Sequence, residues 1–232
     1  MTDLKIISRH HKNSFIIASL ALLILALAFV QFSSFDIVLQ NNFFDFEQKK
    51  WLVDKNEPLA KFFFYQLPKI LLGFAIIFSL LASFVAKKRQ KFFLIFLGLT
   101  LIPLIAGNVK KFTNIYCPSQ LEIYGGDKPY VKIFDSYPLG FVAQKSGQCF
   151  PAGHAVTGFC IFILFFVLQK KAHKILAFFA AMILGWVLGL YQMLKGAHFF
   201  GDTMVAMLLC FLLAAIIARI HEVRLAKSLS EN

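Results

Sequence analysis

Six runs of apolar residues, at approximately 14–34, 62–86, 92–109, 153–169, 175–194 and 199–219, leave little chain for anything else. Each is close to the ~20 residues that a helix needs to cross about 30 Å of hydrocarbon. Backbone groups in hydrocarbon must be satisfied within the segment, so the runs predict helices. A chain of 232 residues then suits one all-α domain over 1–232, an integral-membrane six-helix bundle. Composition agrees: 59% hydrophobic residues, 16% charged, 29 Phe and a mean hydropathy of +0.70 exclude a disordered or ordinary soluble domain. The first run follows Lys5, Arg9 and Lys12, as the core of a signal peptide would. It is about 20 residues long with no Ala-x-Ala-like site after it, so it reads as a retained helix. Pro68 and Pro103 read as kinks within helices, and Lys69 as a side chain that snorkels to the interface without chemistry.

The joints between the runs alternate in charge. The N-terminus, the turns holding Lys87, Lys88, Arg89 and Lys91 and then Lys170, Lys171 and Lys174, and the tail with Arg219, Arg224 and Lys227 together carry 13 of the 24 cations. The loops 35–61 and 110–152 and the joint near 195–202 hold nine of the 12 acids and no Arg. By the positive-inside rule the first set is cytoplasmic, both termini are inside, and the second set faces the other side, which in a bacterial inner membrane would be the periplasm. The formal net charge of +12 is thus a topology signal. It implies a lipid bilayer and an anionic lipid partner, with no nucleic acid, and it leaves the oligomeric state open.

On the predicted outer side the remaining polar groups gather at helix ends. Lys110 and Lys111 close the third run, Pro151-Ala152-Gly153-His154 opens the fourth, and Gln192, Lys195, His198 and Asp202 span the last joint. If 195–202 is near helical, Lys195, His198 and Asp202 share one face. Asp202 would then fix the imidazole tautomer and raise the basicity of the other nitrogen. A simple His-Asp cap with a solvated Lys195 fits the same residues. Pro151-Ala152-Gly153-His154 reads as a tight turn whose helix N-terminus offers amides to an anion, or as an ordinary helix start.

Taken together, these segments resemble the integral-membrane branch of the type 2 phosphatidic acid phosphatases. The usual pattern is Lys, six residues, Arg-Pro; then Pro-Ser-Gly-His; then Ser-Arg, five residues, His, three residues, Asp. This chain has Lys110, six residues, Cys117-Pro118; then Pro151-Ala152-Gly153-His154; then Tyr191-Gln192, five residues, His198, three residues, Asp202. Cys117, Ala152 and Tyr191-Gln192 depart from it. A variant of the family with Gln, two residues, a basic residue and Gly-Ala-His is similar to Gln192 through His198, with Lys195 as replacement cation.

The resemblance implies a phosphatase acting on a lipid phosphate or diphosphate headgroup through a phosphohistidine. His198 would be the nucleophile, Asp202 its orienter and His154 the acid and base, with Lys110, Lys195, Gln192 and the amides near Ala152 and Gly153 holding the phosphate. It implies neither a cofactor nor a metal. The substrates implied are a lipid A phosphate, undecaprenyl diphosphate or phosphatidylglycerol phosphate. A phosphotransferase using the same intermediate, and a noncatalytic lipid-phosphate binder, are the alternatives. Cys160 and Cys210 read as buried fillers. Cys117 and Cys149 share an outer loop, where a bridge would tie the Lys110 segment to the Pro151 turn; two free thiols, or Cys117 as nucleophile, are the other readings.

Overall fold

The apolar runs fold as helices in the computed structural model, which describes residues 9–142 and 145–230. The basic residue Lys5 lies outside them. In chain order the helices are α1 (Arg9–Phe32), α2 (Phe35–Asn41), α3 (Pro58–Lys61), α4 (Leu67–Val85), α5 (Arg89–Thr113), α6 (Gly153–Phe159), α7 (Ile163–Val167), α8 (Lys171–Leu194) and α9 (Phe200–Ser230). Among the described residues five helical stretches are long and apolar enough to cross a membrane: Asn13–Phe32, Pro58–Val85, Arg89–Gln120, Lys171–Leu194 and Phe200–Ser228. The expected fourth span is shorter, a 15-residue stretch at Gly153–Val167 in which α6 and α7 join through a 3-10 turn at Cys160–Phe162. At 1.5 Å per residue it covers ~22 Å, less than a full crossing.

Side chains such as Leu25, Phe74, Phe78, Phe84, Leu176 and Phe179 face outward from these helices. Exposed apolar surface on this scale marks a lipid-facing belt, and the protein is a multi-pass membrane protein. The core sits where α5, α6, α7, α8 and α9 meet, around Leu94, Ile102, Phe159, Phe162, Ile163 and Phe166. Where α6 crosses α8, a Cβ on Gly158 would stand 2.4 Å from the backbone nitrogen of Gly185, so the two helices touch main chain to main chain. On the opposite flank α4 packs on α5 and buries little else. A groove of about 560 Å³ opens there, lined by Phe64, Leu71, Phe78, Ile161 and Leu188 among others.

Pro68 and Pro103 both lie within helical stretches as expected: Pro68 follows directly on the π turn at Phe62–Gln66 inside Pro58–Val85, and Pro103 lies inside α5. Loop 35–61 is more ordered than its composition suggests. It contains α2, the hairpin Phe44–Asp45 with Lys50–Trp51, and α3, whose first amides are capped by the Glu57 carboxylate. A π turn at Phe62–Gln66 then leads into α4.

Candidate functional site

The joint after α8 is a helix stop rather than the continuous helical face expected for Lys195, His198 and Asp202. Gly196 adopts φ +72°, its amide bonds Met193 O at 3.0 Å, and the Ala197 amide bonds Gln192 O at 2.8 Å. That is the Schellman pattern, and it reverses the chain so that α9 starts afresh at Phe200. The His198 and Asp202 contact nevertheless forms. Asp202 Oδ2 lies 3.1 Å from His198 Nδ1 and accepts from the Phe199 amide at 3.0 Å, so one carboxylate caps α9 and holds the imidazole. With Nδ1 engaged, Nε2 is the ring nitrogen without a protein partner among the described residues.

The second segment packs onto the first. The Ala152 amide donates to the Asp202 carbonyl at 3.0 Å, which locks the Pro151 turn to the start of α9. The end of α5 is tied to the same turn by Thr113 Oγ1, which donates to Phe150 O at 2.7 Å. This sets Lys110 over Gly153: a Cβ there would lie 3.2 Å from Lys110 Nζ, a close approach that the lysine could relieve only by shifting its ammonium. His154 follows in the first turn of α6. Among the described residues its Nε2 is buried with no hydrogen-bond partner, as is Gln192 Nε2, the state expected of groups that a ligand completes.

Burial, then the charges of Lys110 and Lys195, holds His198 well below the ordinary histidine range, against a smaller opposing effect of the Cys149 carbonyl. Both burial and the lysine charges favour the neutral ring. Lys195 is itself lowered, chiefly by burial and then by Lys61 and Lys69. Its ammonium lies 4.7 Å from the centroid of Tyr191 and 5.3 Å from that of Tyr65.

Cys117 and Cys149 are joined in a disulfide, with Cα atoms 5.0 Å apart. Cys149 Sγ rests 3.3 Å from His198 Nδ1, so the bridge is part of the wall behind the imidazole. The potential ligand atoms of Cys117, Cys149 and His198 lie within 4.8 Å of one another, but the two sulfurs are bonded to each other and do not act as thiolate ligands. Cys160 and Cys210 are free and buried.

Four contributors were invisible in the motifs. The Tyr65 ring lies on His154, centroids 4.4 Å apart, and Lys69 Nζ stands 3.8 Å above the Tyr65 centroid. Lys69 is thus turned toward the site, contrary to its expected role as an isolated snorkelling residue. The Tyr65 and Lys69 spacing of four residues is the signal that could have found them. From α2, the Asp36 carboxylate accepts from the Gly201 amide at 2.7 Å, and Gln40 Nε2 donates to Met193 O at 2.9 Å. These two side chains, one turn apart, grip the beginning of α9 and the end of α8.

Over 86 residues the chain is 37% identical to the Lipid A 4'-phosphatase of Francisella tularensis subsp. novicida (strain U112). That stretch is 37% of this chain and 36% of the relative, about a third of the curated protein's length. The fold is shared with the crystal structure of the first transmembrane PAP2 type phosphatidylglycerolphosphate phosphatase from Bacillus subtilis. The TM-score is 0.57 at 17% identity, over 89% of this chain and 96% of that one. The pattern of the PAP2 superfamily matches residues 69–226, a stretch that holds all three motif segments, and the chain belongs to that family.

Proposed function

We propose that this protein is a lipid phosphatase that removes a phosphate from a lipid A or undecaprenyl diphosphate headgroup at the periplasmic face of a bacterial inner membrane. The observation that carries this reading is the convergence of a neutral, Asp202-oriented His198 with Lys110, Lys195 and the unpartnered Nε2 of His154. The asymmetry of the basic joints supports the orientation. The similarity to a Lipid A 4'-phosphatase favours lipid A phosphate of the two substrates.

In the first step His198 Nε2 attacks phosphorus, the bond to the lipid oxygen breaks, and that oxygen takes a proton from His154. His154 must enter this step protonated, and the negative charge of the bound phosphate offsets the repulsion of the surrounding lysines. In the second step water attacks the phosphohistidine, its proton passes to His154, and the electron pair of the N–P bond returns to Nε2. Lys110 and Lys195 neutralise the equatorial oxygens, whose charge the transition state spreads. No step requires a metal.

The test is release of free phosphate by purified protein from a panel of lipid phosphates, with and without EDTA. Turnover that EDTA leaves intact and His198→Ala abolishes is expected. Acceptor-dependent loss of donor phosphate without free phosphate would mean a transferase, and binding without turnover a noncatalytic protein. Lys195→Ala is expected to lose much more rate than Lys111→Ala.

A further inference from the structure

The three motif segments are not the whole of the cationic surface. Lys69, Lys110 and Lys195 come from α4, α5 and the joint after α8, and all three act electrostatically on His154. Among the described residues none of them makes an ion pair; the pairs present are Lys128 with Asp127, His198 with Asp202 and Arg219 with Glu222. Tyr65 links the group. Its ring lies on His154, and Lys69 and Lys195 sit 3.8 Å and 5.3 Å from its centroid. A ring face attracts a cation, but two ammonium groups sharing one ring repel each other and gain most when an anion lies between them. Lys69 itself is exposed, with its stem on α4 and its head at the ring. A side chain that merely snorkelled would reach away from the other cations toward water.

We propose that Lys69 is a phosphate-contacting residue of this site, delivered by α4 over the Tyr65 ring so that three lysines from separate elements enclose one phosphate. The identity of the anion rests on the phosphatase reading above. The competing role is an interface anchor that meets lipid headgroups without touching the reacting phosphate. The two differ in one respect: an anchor matters only for a lipid.

The full chain in detergent is assayed with two substrates, a long-chain lipid phosphate in mixed micelles and the water-soluble p-nitrophenyl phosphate. Lys69→Ala is expected to lower kcat/KM by about 10- to 100-fold on both, the loss of one charge-assisted hydrogen bond. Lys69→Arg is expected to recover most of it, and Lys111→Ala to stay within twofold of wild type. A loss confined to the lipid substrate, or no loss on either, overturns the proposal. Binding of inorganic phosphate, followed by 31P line broadening, separates this inference from the hydrolase reading. If wild type turns over neither substrate yet binds phosphate and Lys69→Ala weakens that binding, the hydrolase reading falls and the role of Lys69 stands. Equal phosphate binding by wild type and Lys69→Ala overturns the role of Lys69.

Discussion

Asp202 Oδ2 stands 3.1 Å from His198 Nδ1 and 3.0 Å from the Phe199 amide, so the carboxylate that orients the imidazole is also the cap of the helix that carries it. Orientation and helix start are one structure. Asp202→Asn keeps the shape but no longer selects the tautomer with a free Nε2. We expect kcat to fall by about 10²- to 10⁴-fold with a smaller change in KM, measured as phosphate release. A variant within tenfold of wild type would show that Asp202 only caps.

Asp36 and Gln40 hold the two sides of the His198 joint from a helix that bears no motif residue. Asp36→Ala removes the acceptor for Gly201 N and is expected to cost about tenfold in kcat, the size of one buried hydrogen bond. Asp36→Asn retains an acceptor and should restore most of that rate. Hydrogen exchange of amides 193–203 should quicken in Asp36→Ala and not in Asp36→Asn. Unchanged exchange in both variants would remove α2 from the account of the site.

The Cys117 and Cys149 bridge links positions 32 residues apart and abuts His198. Closing a loop of that size stabilises by about 2–4 kcal/mol through the unfolded chain. Cys117→Ser with Cys149→Ser should therefore lower the melting temperature and also slow turnover, since the wall behind the imidazole is loosened. Dithiothreitol should reproduce both effects in wild type and neither in the double variant. A double variant with wild-type kcat would limit the bridge to stability.

Two buried groups give opposite pH trends. His198 is held low in the folded protein, mainly by burial, while an unfolded histidine takes up its proton near pH 6.5. Stability present above about pH 6.5 is therefore lost as the pH falls below it, because only the unfolded chain gains the proton. Asp36 is pushed up to about 7, chiefly by burial and then by the nearby Asp202. Its contribution is present below the ordinary carboxylate range near 3.9 and is lost as the pH rises toward 7, because the unfolded chain ionises first. Thermal melts should show Asp36→Asn more stable than wild type at pH 8 and equal to it near pH 4. The reverse order at pH 8 would mean that the carboxylate is stabilised by its partners.

The helical membrane bundle was legible because hydrocarbon demands long apolar segments, and the segment around Lys110, Pro151 and His198 was legible because motif spacing survives substitution. The joint at 195–199 was not, since the spacing of Lys195, His198 and Asp202 suits a helix and only Gly196 signals the stop. Asp36 and Gln40 were hidden for a different reason. Their partners, Gly201 and Met193, are main-chain groups more than 150 residues away, and a backbone acceptor or donor has no residue type to match. Tyr65 and Lys69 lie in an apolar run, where a lone Lys reads as snorkelling until its ammonium is seen on the Tyr65 ring, which itself lies on His154.

The main-chain contact of Gly158 with Gly185 divides the bundle into halves that tolerate change by different rules. At Gly158 an added carbon must displace the backbone of Gly185, and at Gly185 it meets the Phe159 ring, so even alanine is excluded at the first. On the α4 side the requirement is only that residues stay apolar, and Leu71 or Phe78 can exchange for another hydrophobe at small cost. Substitutions on the α4 side can therefore reshape the surface that meets lipid tails while the packing of α6 on α8 stays in register.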